Sequence, residues 1–335
     1  MTPVHVLDKY YLAITLLVTV GYQLSGFAIA WTLQFDKITD FTGGSNFFLL
    51  ALLTLLIGQT FYARNIVASV LVMIWATRLA GFLLFRVLKT GSDTRFDDIR
   101  SHFFKFFGFW VGQIVWVWVV SLPVTILNSP AVSDLSLGGN NPSFGQSRDI
   151  AGIVIWALGW LIESVADAQK FHYKSSKPPR GVPMKTGLWA WSRHPPYFGE
   201  MLCWWGIWIF CLTPSVDGTI THAARRAQYA SIVSPLLTTL LLMFASGVPT
   251  AEKPQAKKFY LMSYGPQEDQ NDPSIWQNYK EYLSSTSILV LIPPTIYRAF
   301  PTALKRTILF DFPMYQFDEA KDGPKAIDDA RKQGQ

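Results

Sequence analysis

The sequence predicts an all-α protein, a polytopic membrane helical bundle of about seven transmembrane helices. Three observations carry that prediction. Half of the 335 residues are hydrophobic and only 16% are charged, with a positive mean hydropathy, a balance typical of chains that live in lipid. The apolar residues gather into runs of about 17–25, the length needed to cross a hydrocarbon core. Thirteen Trp and twenty-four Phe supply rings of the kind that line both membrane interfaces.

Taken in order, the runs lie at approximately 10–33, 46–62, 66–88, 103–128, 150–172, 197–212 and 229–247. The first is longer than the core of a signal peptide and lacks a small-residue cleavage site, so it is expected to act as a signal anchor. The sixth is the shortest and opens directly after Pro195 and Pro196, where proline is tolerated because the first helical N–H groups have no partner anyway. Between the fourth and fifth runs, the nearly uncharged Ser-, Gly-, Asn- and Pro-rich segment 129–147 reads as a plain connector. Beyond Gly247 the chain is too polar to span. Its apolar patch 288–292, closed by Pro293-Pro294, is too short to cross and is expected to lie against the bundle or in the interface. The last fifteen or so residues are charged and are expected to be disordered. One domain is therefore drawn over 1–300, with a C-terminal tail over 301–335.

Orientation follows the lysines and arginines. With the N-terminus on one side, that side holds only Lys9, Arg64, Arg148, Arg225 and Arg226, whereas the other collects Lys37, Arg86, Lys89, Arg95, Arg100, Lys105, Lys170, Lys174, Lys177, Arg180, Lys185 and Arg193. The second side, and the C-terminal tail with Lys253, Lys257 and Lys258, is expected to be cytosolic, leaving the N-terminus lumenal. Cys203 and Cys211 fall eight residues apart on one helix, about 12 Å along its axis, too far for a disulfide; they read as small packing residues. No G-x-G-x-x-G, Walker, H-E-x-x-H or G-x-S-x-G sequence occurs, so soluble nucleotide-binding, zinc-protease and serine-hydrolase chemistries have no support. No metal set and no nucleic-acid partner is expected.

The polar residues cluster on the predicted cytosolic side. Asp36 and Asp40 follow the first run, and Asp93, Arg95, Asp97, Asp98 and Arg100 follow the third. Glu163 and Asp167 lie four apart in an otherwise apolar segment, which puts both carboxylates on one helical face, and Lys170 and Lys174 extend that face. Such a stripe either binds a ligand with hydroxyl or amide groups deep and an anionic end shallow, or pairs with itself as structure. The stretch 187–206 then places Trp191, Ser192, Arg193, His194, Tyr197 and Glu200 at the mouth of the sixth run, where ionisable groups mark function by default. Arg193 can clamp a phosphate, Tyr197 offers a phenolic donor, and Glu200 sits one turn into an apolar helix. His194 before two prolines is either a turn residue or a site residue, and the tryptophans around it are either site-lining or interfacial.

The stretch Gly-Leu-Trp-x-x-Ser-Arg-His-Pro-x-Tyr-Phe-Gly-Glu-x-x-x-Trp-Trp-Gly, filled from Gly187 to Gly206, resembles the steroid 5-alpha-reductase-like family of membrane proteins. Glu163, Asp167 and Gln169-Lys170-Phe171 support the resemblance, which covers most of the chain to about Gly247. It implies a helical membrane fold whose cytosolic half binds NADPH and delivers a hydride to a carbon–carbon double bond conjugated to a ketone, in a steroid or other lipid that enters from the bilayer. Glu163 and Asp167 would hold polar groups of the nucleotide, with Lys174 near its phosphates and Lys170 a further cofactor contact. Trp191, Ser192, Arg193, His194 and Arg95 would line the cofactor cleft, with Tyr260 as a further contact from the tail; Tyr197 and Glu200 would be catalytic. The resemblance also implies the endoplasmic reticulum and lipid metabolism. One departure is Pro196, where the family usually has Asn and its side-chain amide. The family's proton-donating pair has only nominees here, Gln59, Tyr62 and Tyr22. Membrane methyltransferases of the isoprenylcysteine carboxyl type, which use S-adenosylmethionine, share a related Arg-His-Pro-x-Tyr pattern and form the alternative, beside a non-catalytic lipid-binding protein.

Overall fold

The computed structural model describes residues 3–34, 38–90, 99, 101–267, 269 and 271–333. Among the described residues, the helices that carry or position the polar residues are α1 (Leu12–Thr32), α2 (Thr39–Gly58), α3 (Ala63–Thr90), α4 (Phe103–Val120), α5 (Leu122–Asn128), α6 (Ser147–Ser175), α7 (Pro195–Cys211), α8 (Val248–Tyr264), α9 (Pro273–Ser285) and α10 (Glu319–Gln333). Among the described residues the only β pairing outside helices is a parallel bridge, Ser192 to Ser287. The fold is thus all-α, as the apolar periodicity predicts.

Among the described residues, six helical stretches are long and apolar enough to cross a membrane: α1, α2, α3, α4, α6 and the run from His222 to Tyr264. The expected crossing at 197–212 is α7, which stops at 17 residues, about 26 Å of helix against the roughly 30 Å of a hydrocarbon core. Its end follows from Pro214, which has no N–H to donate back into the helix; the chain starts a new turn at Thr213. The last stretch is also broken, into His222–Ala230, Val233–Leu240, a π-helical turn Leu241–Ala245, and α8.

Backbone contacts divide the chain into two units, 1–157 with 203–238, and 158–202 with 239–335. In the first, α1, α2 and α4 approach closely because glycines leave room: a Cβ at Gly26 would lie 2.8 Å from Trp110 and Thr42, and one at Gly43 would strike the Gln113 amide. Trp75 and Phe47 pack edge to face at 5.2 Å, and Trp75 meets Trp204 at 4.9 Å, in the offset and perpendicular arrangements that ring quadrupoles favour. Several buried polar side chains pair with one another within this unit, which lowers the cost of polar groups in an apolar bundle. Asn128 donates to Thr54 and Ser69 at 3.1 and 3.0 Å. Arg64, 1% exposed, forms a two-pronged pair with Asp149, both contacts 2.8 Å.

That pair changes the account of segment 129–147. Arg64 also binds the Pro142 and Ser143 carbonyls, and Asp149 accepts from the Gly145 and Gln146 amides. The segment is an anchored lid on a buried ion pair rather than a plain connector, because it supplies the oxygens and N–H groups the buried charges need. Cys203 and Cys211 are free thiols in the interior.

The second unit contains most of α6 beyond Ala157, the first turns of α7, and α8 to α10. An aromatic cluster built on Phe259, Trp276, Tyr279 and Tyr282 forms its core, with Phe259 and Tyr279 stacked at 4.2 Å. The C-terminal residues expected to be disordered form α10. It is held by Ala326, 2% exposed, by Gly323 lying against the Tyr260 ring, and by the pairs Lys257–Asp329 and Lys280–Glu319. A charge-rich segment here still presents one face small enough to pack, which composition alone hides.

Candidate active site

The second unit holds Glu163, Asp167, Lys170, Lys174, the residues of 191–200 and Tyr260, whereas the proton-donor nominees Tyr22, Gln59 and Tyr62 fall in the first. The frame of the site is the 3-10 turn Gly187–Ala190 docked on α6. Gly187 adopts φ 59°, a conformation open to glycine, and a Cβ there would strike the Gln169 amide. That amide's oxygen accepts from Leu188 N at 3.0 Å, Trp189 Nε1 donates to the Ala166 carbonyl at 3.0 Å, and the Lys170 ammonium sits 4.5 Å over the Trp189 ring. Tyr282 closes the turn from α9, its hydroxyl donating to the Trp189 carbonyl.

Downstream, residues 191–193 run beside 287–292. Arg193 N donates to Ser287 O at 2.8 Å, Ile292 N to Trp191 O at 3.2 Å, and Ser192 Oγ to Leu289 O at 2.7 Å while accepting from His194 N. This explains the short apolar patch 288–292: it pairs with the motif. Pro195 and Pro196 then open α7, and Gly199 lets it reach α6, since a Cβ would come within 2.6 Å of Gly159 O and 2.9 Å of Glu163 Cβ.

The non-helical residues 192–194, between the 3-10 turn and α7, bring Arg193 and His194 into the interior. Arg193 is 6% exposed; its Nη1 lies 2.5 Å from Glu252 Oε2, and its Nη2 lies 2.8 Å from Asp311 Oδ1, an ion pair by distance whose angle is not that of a hydrogen bond. His194 Nε2 lies 2.7 Å from the other Glu252 oxygen, and its ring stacks on Tyr197 at 5.2 Å. Tyr297 donates to Asp311 Oδ2 at 2.9 Å. Burial works against the Arg193 charge, but Glu252 and Asp311 outweigh it and hold the guanidinium above its ordinary range. Burial pushes the His194 pKa below its ordinary 6.5, with Glu252 opposing. The ring is therefore neutral at pH 7, with Nε2–H donating to the carboxylate.

The sequence residues thus sort by surroundings. Ser192, Arg193 and His194 are buried and engaged by backbone and carboxylates. Two carboxylates occupy the guanidinium fork that the sequence offered to a phosphate. Glu163 is 3% exposed, Asp167, Lys170, Tyr197 and Glu200 are partly exposed, and Lys174 and Trp191 are exposed. Tyr260 stands in the aromatic cluster, edge on to Trp276 at 5.4 Å. Arg95 lies outside the described residues, as do Asp36, Asp93, Asp97, Asp98 and Arg100.

Glu252, Asp311 and Tyr297 join the site from parts of the chain where sequence pattern marks nothing. Glu252 has one faint signal, a single acid just after the last apolar run. Asp311 is 59 residues farther on, and no local pattern ties it to Arg193.

The fold and this buried charge network define an integral membrane protein with a fixed polar site at the mouth of a short apolar helix. The chain belongs to the family described as protein of unknown function, DUF1295, whose pattern matches residues 26–265. No curated protein and no solved structure matches it.

Proposed function

We propose that this protein is a membrane-embedded, NADPH-dependent reductase of a carbon–carbon double bond in a steroid or other lipid, the activity that the resemblance to the steroid 5-alpha-reductase-like proteins implies. The observation that carries the reading is the packing of 187–200 onto the face of α6 that bears Glu163, Asp167, Lys170 and Lys174. Gly199 meets Glu163 and Trp189 lies under Lys170, so the two halves of the predicted cleft share one unit.

The donor set fits a nicotinamide dinucleotide. Carboxylates accept from ribose hydroxyls and the carboxamide, and ammonium groups neutralise phosphates. Two buried groups, Arg193 Nε and Ser287 Oγ, have no hydrogen-bond partner among the described residues, an expense that a bound polar ligand would offset. Glu163, Asp167 and Trp191 would hold the nucleoside portions, and Lys170 and Lys174 the phosphates, while Ser192, its hydroxyl taken by Leu289 O and His194 N, fixes the motif beneath them. Arg193 and His194, already held by Glu252 and Asp311, act by positioning the wall. NADPH, when bound, supplies the hydride. Tyr197, its ring fixed against His194, donates a proton or a hydrogen bond to the developing oxyanion of the substrate, and Glu200 orients it. A water-poor site strengthens that polarisation, and the apolar substrate reaches it from lipid. The loops bearing Lys170 and Lys174 face the cytosol in this scheme, with the N-terminus lumenal and the endoplasmic reticulum as the membrane.

The test is thermal stability of the purified chain in detergent with NADPH, NADH, S-adenosylmethionine or S-adenosylhomocysteine. NADPH at one hundred times its Kd adds about 2.7 kcal/mol, roughly 4 °C for a chain of this length, and Glu163→Ala abolishes the shift in a folded protein. Stabilisation by the methyl donor alone refutes the reductase and points to methyl transfer; no response to any ligand points to a non-catalytic lipid-binding protein.

A further inference from the structure

A separate groove lies at the polar end of α8. Its volume is about 440 Å³, and its lining includes Arg180, Lys257, Lys258, Gln267, Asn271 and Ala330. That is within the range of small-molecule sites. Three cations and no carboxylate are among its described lining residues. Lys253 adds a fourth positive charge one turn before Lys257 on the same helix, and only Pro254, Gln255 and Ala256 intervene. Clustered like charges on one face repel unless an anion neutralises them.

One anion already stands at its edge. Asp329 Oδ2 of α10 lies 2.8 Å from Lys257 Nζ, and the next residue, Ala330, lines the groove. Both partners are substantially exposed, 38% and 55%, so the pair is weak and exchangeable. Lys258 makes no ion pair among the described residues.

We propose that this groove binds a phosphate-bearing anion, which takes the place of the Asp329 carboxylate at Lys257 and engages Lys258 and the Arg180 fork. Cations from two separate segments suit a group that carries two charges on three oxygens, and Arg180 adds the planar donor geometry that phosphate accepts bidentately. Two sources share that chemistry. Basic residues that follow a membrane segment attract anionic lipid headgroups, and a soluble nucleotide presents the same phosphate. The site is independent of the reductase reading, since none of its residues belongs to the Glu163–Lys174 face or to 187–200.

The experiment measures binding to the purified full chain in detergent with three probes: dioctanoyl phosphatidic acid, dioctanoyl phosphatidylcholine and ADP. Saturable binding of phosphatidic acid without phosphatidylcholine identifies a lipid headgroup, and saturable binding of ADP identifies a soluble nucleotide. In either case K257A/K258A weakens the affinity at least tenfold and D329N tightens it about threefold; an ADP affinity that falls in E163A and not in K257A/K258A belongs to the Glu163 face and overturns the proposal. Failure of both phosphate probes to bind, equal binding of phosphatidylcholine, or an affinity indifferent to K257A/K258A overturns the proposal. An affinity unaffected or weakened by D329N overturns the displacement of Asp329.

Discussion

Glu252→Gln is the most informative single change, because one buried carboxylate holds two residues of the motif. Its oxygens accept from Arg193 Nη1 at 2.5 Å and from His194 Nε2 at 2.7 Å, and its side chain is 7% exposed. Glutamine keeps the shape and one acceptor, but removes a charge and turns an N–H toward a donor. Arg193 is then left with Asp311 alone. Breaking a buried pair from one side costs about 3–5 kcal/mol, since the surviving charge stays desolvated. At the usual unfolding entropy per residue, that lowers Tm by roughly 4–7 °C for 335 residues. The assay is thermal unfolding in detergent of E252Q beside Arg298→Ala, which removes an exposed pair with Glu281, 58% and 67% exposed, worth about 0–1 kcal/mol. Equal shifts in the two variants would refute the claim that Glu252 anchors the site.

The remaining predictions concern the same frame. Burial lowers the His194 pKa below 6.5, so the unfolded chain binds a proton that the folded chain refuses between that lowered value and 6.5. The His194 contribution is complete above about pH 6.5 and is lost as pH falls through that window, with a slope of at most about 1.4 kcal/mol per pH unit. Tm measured from pH 5 to 8 should fall less steeply toward acid in His194→Gln than in the parent, and identical slopes would contradict the neutral buried ring. Gly199→Ala places a methyl 2.6 Å from Gly159 O and 2.8 Å from Glu163 N. Backbone atoms cannot swing aside, so α6 and α7 separate at a cost of about 1–3 kcal/mol, and NADPH stabilisation should weaken with the fold retained; an unchanged Tm would mean the helices do not cross there.

The sequence by itself determined the class of protein and the location of its polar chemistry. Apolar runs of helix length in a chain with few charges leave no other way to satisfy the backbone in lipid. The four-residue spacing of Glu163 and Asp167 fixes both to one helical face wherever that helix lies. Gly187 and Gly199 were legible as parts of a motif, though their physical use, a left-handed turn against Gln169 and a close crossing at Gly159, was not. Local spacing also could not show that the charged tail folds into α10.

Only the tertiary structure decided what Arg193 and His194 do. A guanidinium beside a membrane helix reads as a ligand clamp when its neighbours in sequence are Ser, His and Pro. It becomes a fixed strut once Glu252 and Asp311 arrive from 59 and 118 residues away. Burial of a charge is a property of what surrounds it in space, and no periodicity within 187–206 encodes which distant carboxylates will meet there.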